Sequence, residues 1–188
     1  MTSFISALVH GPDANERLAS RANTLRAGVL GANDGIVSVA AIVVGVAGAS
    51  ASSHAVLVAG AAALIGGAVS MALGEYVSVS SQRDSERAAN GGPSADEANP
   101  WKAAFASAAS FLTGGVLPLL AVLLAAAAIR VPVTVVVVLI ALAATGAAGA
   151  RLGGAAMGKP VLRTLVGGGL ALALTWGIGA LLGTSGGV

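Results

Sequence analysis

The chain lacks cysteine and has few charged side chains, and each shortage excludes a class of protein. Without cysteine, neither disulfide bonds nor thiolate metal sites can form. Only 10% of the 188 residues are charged and 56% are hydrophobic, whereas an average soluble domain has about 25% charged residues. The composition therefore excludes an ordinary soluble domain and predicts an integral membrane protein.

Charge and motif content exclude two further classes. The formal net charge is only +2, so the pI of 9.7 reflects a scarcity of ionisable groups and does not predict a nucleic-acid partner. We find neither a nucleophile–base pair nor a soluble catalytic domain, and we expect no enzyme activity. The first 25 residues hold four charged side chains and no apolar segment with a cleavage site, so we expect no signal peptide.

Five apolar runs are long enough to cross a membrane as helices, which need about 20 residues. They cover residues 28–50, 55–80, 103–129, 131–150 and 161–183. We therefore predict an all-α, multi-pass membrane protein with five transmembrane helices. Arginine outnumbers lysine eight to two among many Ala, Gly and Val residues, which favours a GC-rich bacterial genome and hence a bacterial cell membrane.

The basic residues predict how the chain is oriented. Nine of them fall on one side of the predicted membrane: Arg17, Arg21, Arg26, Arg83, Arg87, Lys102, Arg151, Lys159 and Arg163. Only Arg130 falls on the other side. Because Lys and Arg accumulate in cytoplasmic loops, we predict a cytoplasmic N-terminus and, after five spans, an outside C-terminus.

This topology divides the chain into a short arm and one membrane domain. Residues 1–24 are predicted to form an N-terminal cytoplasmic arm or interfacial helix, and residues 25–188 form the five-helix domain. A short cytoplasmic linker covers residues 82–101. Its charged start is expected to prolong the second helix, which the Asn-Gly-Gly-Pro sequence at 90–93 then ends.

Two carboxylates stand inside the predicted spans, Asp34 in the first and Glu75 in the second. A charged group at the centre of a membrane helix costs roughly 2.5–3.5 kcal/mol on insertion scales, so such groups mark pathways, ion pairs or ion sites. Each lies five or six residues from the cytoplasmic end of its span, about 9 Å deep. With no buried Lys or Arg to pair with them, two acids at one depth predict a shared proton or a shared cation.

Neighbouring side chains extend this pair of acids. Met71 lies one helical turn deeper than Glu75 on the same face, Ser38 extends the Asp34 face, and Ser78 continues the Glu75 face outwards. Oxygen ligands alone suit Mg²⁺, Ca²⁺ or Mn²⁺, whereas a thioether favours a first-row transition metal, Fe²⁺ more than Cu⁺. A lone methionine in a span is more often a packing residue, and that alternative stays open. We expect His10 and His54 to be solvated.

Two segments resemble the vacuolar iron transporter family, which includes the plant nodulin-like proteins. They are residues 25–38 (LRAGVLGANDGIVS) and residues 67–84 (GAVSMALGEYVSVSSQRD). A weaker similarity extends to residue 183. Many members hold a glutamate-rich helical domain between spans two and three, but here only about twenty residues connect them. The chain therefore resembles the short, nodulin-like branch.

The resemblance implies a homodimer with a metal path at the interface. It implies that Fe²⁺, and often Mn²⁺, leaves the cytosol in exchange for protons. The metal ligands implied are Asp34, Met71 and Glu75, and the further path-lining residues are Asn33, Ser38, Tyr76 and Ser78. Beyond the transported ion, no cofactor is implied.

Our hypothesis is a transporter that exports Fe²⁺ or Mn²⁺, with the lipid bilayer and a second copy of the chain as partners. We expect the glycine pairs Gly31/Gly35 and Gly67/Gly74 to bring the two copies close together. The alternative is a non-transporting membrane scaffold, in which protonated carboxylates only hydrogen-bond helices together.

Overall fold

Five helices make up the computed structural model, which describes residues 12–49, 52–92 and 97–185. The helices are α1 (Pro12–Ala49), α2 (Ser53–Asn90), α3 (Pro100–Leu124), α4 (Arg130–Leu152) and α5 (Gly158–Ser185). Each contains a segment long and apolar enough to cross a membrane. This confirms the predicted all-helical class and the count of five. Helix α1 runs without a break from Pro12 into the first span, so the described part of the N-terminal segment is helical.

Local signals fix the ends of α2 and the start of α3. The Ser52 hydroxyl accepts a hydrogen bond from the backbone N–H of Ala55 (3.3 Å), which caps α2. At the other end, Gly91 adopts a left-handed conformation (φ 74°) and its N–H bonds to the Arg87 carbonyl. Asn99 caps α3 by accepting from the N–H of Lys102 (3.1 Å). The predicted continuation of the second helix to the Asn-Gly-Gly-Pro segment is thus confirmed.

Helix α1 lies at the centre of the bundle and packs against the other four helices. One core cluster joins it to α4 and α5 and consists of Ile36, Ala40, Val44, Val138, Leu142 and Leu172. A second joins it to α2 and α3 and consists of Val39, Val43, Val56, Ala68, Phe111 and Val122. The central helix that carries Asp34 is therefore held on two sides by separate helix pairs.

Glycine allows α1 and α3 to pack backbone against backbone. A Cβ atom added to Gly31 would collide with the carbonyl oxygen of Ser107, and one added to Gly35 would collide with that of Phe111. Small residues permit such close approach between membrane helices. The expectation that Gly31/Gly35 joins two copies is therefore wrong, because this face is already covered within the subunit. Gly67 is likewise covered, by the ring of Phe111.

The α2–α3 and α4–α5 connections lie at the same end of the up-and-down bundle. We call this the basic end, because seven basic side chains of the described part belong to it: Arg26, Arg83, Arg87, Lys102, Arg151, Lys159 and Arg163. Arg130 lies at the opposite end, where its guanidinium is 3.4 Å from the Ser53 hydroxyl. The helix order thus preserves the separation of charge seen in the sequence.

Candidate metal-binding residues

Asp34 is half-buried on α1, and its carboxylate is bonded to a neighbour on the same helix. The Ser38 hydroxyl donates to its Oδ1 at 2.8 Å. The predicted shared face of Asp34 and Ser38 is therefore confirmed, as expected for residues four apart. Among the described side chains, no ion pair involves Asp34. Its hydrogen bond to Ser38 does not join α1 to another helix.

Glu75 is buried on α2, with 8% of its surface exposed, and it has a basic neighbour. An Nη2 atom of Arg26, on α1, donates to its Oε1 at 3.5 Å, while the Arg26 side chain is 59% exposed. The expectation was that no buried Lys or Arg pairs with either carboxylate; Glu75 instead has a partner in the largely exposed Arg26. Arg26 precedes the apolar run that starts at residue 28, but long basic side chains extend along apolar surfaces to place their charge elsewhere.

The two carboxylates do not lie at one level. Arg26 and Asp34 are eight positions apart on one continuous helix, which corresponds to about 12 Å along its axis. Gly35 of α1 and Gly67 of α2 both lie against Phe111. Asp34 is therefore near the level of Gly67, whereas Glu75 is eight residues further towards the basic end on α2. Within the described residues, no group of three or more His, Asp or Glu side chains is arranged to hold a metal ion. One subunit therefore offers two separate carboxylates and not a complete ligand set.

Met71 packs against the second core cluster and is only half-buried. That cluster contains Val39, Ala68 and Phe111 among its members. These contacts support the packing alternative for Met71. Met71 also lies one helical turn from Glu75, on the side towards Asp34.

The other predicted path residues point in different directions. Asn33 lines a cavity of about 750 Å³ between α1, α4 and α5, and its buried Oδ1 has no hydrogen-bond partner. Tyr76 instead stacks on Trp101 at the start of α3, with ring centroids 4.7 Å apart. Ser78 is exposed on α2. These three residues and Ser38 do not line a common surface within one subunit.

Two acids of the linker, Glu86 and Glu97, are engaged near the basic end. Arg83 and Arg87 both donate to Glu97, with closest N–O distances of 2.6 Å. Glu86 accepts from the Gln82 amide at 2.9 Å. Such charge-assisted, bidentate contacts fix the linker against α2. Asp96 lies outside the described residues, as does His10, while His54 is exposed as predicted.

Sequence reasoning missed the Arg26–Glu75 pair, although a signal was present. Arg26 precedes the first predicted span by two residues, and Glu75 lies five residues before the end of the second. The predicted spans place Arg26 and Glu75 about seven residues, or ~10 Å, apart in depth, a separation that a long basic side chain can bridge. The distribution of basic residues along the sequence indicates topology, and it does not show that the Arg26 side chain reaches α2.

Comparison with known proteins identifies the family. The sequence profile of the VIT family matches residues 25–92 and 89–180. The chain is 45% identical to the vacuolar iron transporter homolog 1 of Oryza sativa subsp. japonica, over 94% of this chain and 81% of that protein. It is 42% identical to the vacuolar iron transporter homolog 4 of Arabidopsis thaliana, over 89% and 88% of the two chains. It is 41% identical to the VIT-like transporter 1b of Glycine max, over 88% and 79%. These names describe transporters and not enzymes, and the chain belongs to the VIT family.

Proposed function

We propose that the chain is a transmembrane transporter that exports Fe²⁺, Mn²⁺ or both from the cytoplasm in exchange for protons. Relatives that are 45% identical carry names that describe iron transporters. The five apolar helices supply the membrane domain. The intramembrane carboxylates supply oxygen ligands for a divalent cation.

The environment of Asp34 carries this proposal. A carboxylate inside a membrane helix is energetically unfavourable, and it normally forms a bond to another helix or binds an ion. Asp34 bonds only to Ser38 of its own helix among the described contacts. It therefore contributes no helix–helix bond that would explain its presence, and cation binding supplies the explanation.

The Arg26–Glu75 pair suggests how an ion enters. A divalent cation that approaches Glu75 has the same sign of charge as the guanidinium and competes with it for the carboxylate. Because Arg26 is largely exposed, its side chain can move into water when the ion binds. The ion then moves past Met71 to Asp34, which lies further from the basic end. Protons that move in the opposite direction then protonate the carboxylates, and this releases the ion.

A second copy of the chain completes the ligand set in this proposal. Exposed small residues form a stripe at intervals of four along α2: Gly66, Ser70, Gly74 and Ser78. A Cβ added to Gly66 or Gly74 would meet nothing within 4 Å. Small residues at this spacing favour close packing of membrane helices. We place the contact between copies on this stripe, beside Glu75, instead of on Gly31/Gly35.

The orientation in the proposal follows from the basic end. Membrane proteins keep Lys- and Arg-rich loops in the cytoplasm. We therefore place the basic end, and with it Glu75, on the cytoplasmic side of a bacterial cell membrane. An ion leaving the cytoplasm would then meet Glu75 before Asp34.

Reconstitution tests the proposal directly. The full-length protein is placed in sealed vesicles containing a metal-quenched dye, and Fe²⁺ or Mn²⁺ is added with and without a pH gradient. We expect metal-dependent quenching above that of empty vesicles, faster with a gradient that drives protons in the opposite direction. Equal quenching in protein-containing and empty vesicles would reject transport, and insensitivity to the gradient would reject proton exchange alone.

One observation favours the scaffold alternative. The Arg26–Glu75 contact does join two helices, α1 and α2. If both carboxylates only stabilise the bundle, Asp34→Asn and Glu75→Gln should lower the thermal stability of the protein in detergent and no metal flux should be measurable. Flux that depends on Asp34, in a variant of unchanged stability, separates transport from scaffolding.

A further inference from the structure

We propose that the cavity between α1, α4 and α5 at the basic end binds one anionic phospholipid from the surrounding leaflet. The phosphate would contact basic side chains at the mouth, and an acyl chain would occupy the apolar interior. This inference depends on the membrane location of the protein and not on the ion that it transports.

The cavity is large and continues into a neighbour. Its volume is about 750 Å³, within the range of roughly 300–1,000 Å³ found for small-molecule sites. A second cavity of about 460 Å³ adjoins it on the α3 side. Both are lined by Leu25, Val29 and Thr145. Together they form an extended groove along α1, a shape that suits a chain-like ligand.

The interior of the groove is mostly apolar, with the Asn33 amide as an exception. The hydroxyls of Thr145 and Thr164 both donate to the carbonyl oxygen of Leu142, at 3.1 and 3.0 Å. The two hydroxyl groups therefore already donate within the protein, and the methyl groups of both threonines can contact an acyl chain. The large side chains at the rim, Leu25, Leu30 and Leu152, are about half exposed. An apolar rim inside a membrane-spanning bundle faces acyl chains, so lipid can enter from the side.

Positive charge is concentrated at the mouth. Arg26 and Arg163 line the cavity, and the exposed Arg151 and Lys159 belong to the adjacent ends of α4 and α5. The last acidic residue of the chain is Glu97, so neither α4 nor α5 carries a carboxylate side chain. Arg26 is shared with Glu75, which leaves Arg163 as the main cation of the mouth. Basic pockets between membrane helices on the cytoplasmic side recognise anionic head groups.

Lipid binding to the purified full-length protein tests the inference. Delipidated protein in mild detergent is titrated with phosphatidylglycerol, with phosphatidylcholine of the same acyl chains, and with glycerol 3-phosphate. Retained lipid is counted by native mass spectrometry. We expect one phosphatidylglycerol to bind at least tenfold more tightly than phosphatidylcholine, and glycerol 3-phosphate, which has no acyl chain, to fail to compete.

Variants that remove basic side chains test whether the mouth of the cavity binds the phosphate. Arg163→Gln should weaken phosphatidylglycerol binding about fivefold, and Arg151→Gln with Arg163→Gln about 25-fold, the equivalents of roughly 1 kcal/mol per basic side chain. Lys102→Gln is the matched control, since Lys102 is an exposed cation of the basic end on α3 that lines neither cavity. The affinity of the Lys102→Gln protein for phosphatidylglycerol should stay within twofold of wild type. An equal loss in Lys102→Gln would show only general surface attraction and would overturn the inference.

A filling variant tests the groove while all charges remain. Thr145→Phe projects a ring into both cavities and should abolish retention of phosphatidylglycerol. Unchanged retention in a folded Thr145→Phe protein, or equal binding of the two lipids to wild type, would overturn the inference. If Thr145→Phe does not fold, Thr145→Leu provides a smaller obstruction and should weaken phosphatidylglycerol binding at least threefold. Unchanged binding in Thr145→Leu would also overturn the inference. Size-exclusion chromatography and lipid-free thermal unfolding establish folding for every variant.

Discussion

An Nη2 atom of Arg26 lies 3.5 Å from Oε1 of Glu75, and this contact joins α1 to α2 at the basic end of the bundle. Arg26 reaches Glu75 from a largely exposed position, while Glu75 itself is buried. The two intramembrane acids therefore have different surroundings. Glu75 already has a cationic partner, whereas the described partner of Asp34 is a hydroxyl of its own helix.

Asp34→Ala should abolish metal transport while the protein still inserts and folds. Removal of a charge from a membrane helix eases insertion if anything, so lost activity would reflect lost chemistry. Metal flux in proteoliposomes is compared with the amount of protein recovered from membranes. Ser38→Ala, which removes only the hydrogen-bond donor, is the matched control and should retain most of the flux. Wild-type rates in Asp34→Ala would remove Asp34 from the path.

Arg26→Gln should lower the concentration of metal needed for half-maximal flux, because the competing cation at Glu75 is gone. Lys102→Gln, another exposed cation of the basic end, should leave this concentration unchanged. The ion pair is partly exposed, so its contribution to stability should be only about 0.2–1 kcal/mol. A double-mutant cycle with Glu75→Gln, followed by thermal unfolding, measures that coupling. A higher half-maximal concentration in Arg26→Gln would mean that the arginine assists ion entry.

Met71→Leu tests whether the sulfur is a ligand. The change preserves size and apolarity, so its packing cost should stay below about 1.5 kcal/mol. A ligand role predicts weaker transport of Fe²⁺ and Co²⁺ with Mn²⁺ less affected, because a soft thioether matters least to the hardest ion. Competitive flux of the three ions gives the comparison. Equal losses for all ions, or none, would assign Met71 to packing.

A cysteine at Ser78 should crosslink two copies of the chain in membranes. Ser78 lies on the exposed stripe of small residues of α2, where we place the contact between copies. Because the natural chain has no cysteine, the single variant Ser78→Cys gives an unambiguous disulfide, read by non-reducing electrophoresis. Leu174→Cys, on the exposed surface of α5, is the control and should remain monomeric. Efficient crosslinking at both positions would indicate random collision instead of a specific contact.

Gly35→Ala should destabilise the subunit strongly, since its Cβ would collide with the backbone carbonyl of Phe111. Backbone cannot yield as a flexible side chain does, so we expect a loss of folded protein in detergent. Gly169→Ala, on α5, is the matched control, because its Cβ would meet nothing within 4 Å. Gly74→Ala should also fold normally but weaken the crosslink at position 78. Normal thermal stability in Gly35→Ala would show that α1 and α3 are less closely packed than described.

Several features follow from the sequence because they are local. The length and apolarity of a run determine whether it can span as a helix, and all five spans were predicted. The end of α2 at Asn90 follows from the Gly-Gly-Pro segment that comes after it. The contact between Ser38 and Asp34 follows from the helical repeat alone.

Other features required the tertiary structure. Sequence periodicity could not indicate that Gly31 and Gly35 face α3, that Arg26 reaches Glu75, or that Asn33 lines a cavity with α4 and α5. Each depends on how a helix is rotated about its axis and on which helix lies beside it. In a membrane, lipid tails are as apolar as the helix surfaces, so burial of apolar side chains does not select the inward face. Close packing between particular helices selects it, and that packing exists only in the assembled bundle.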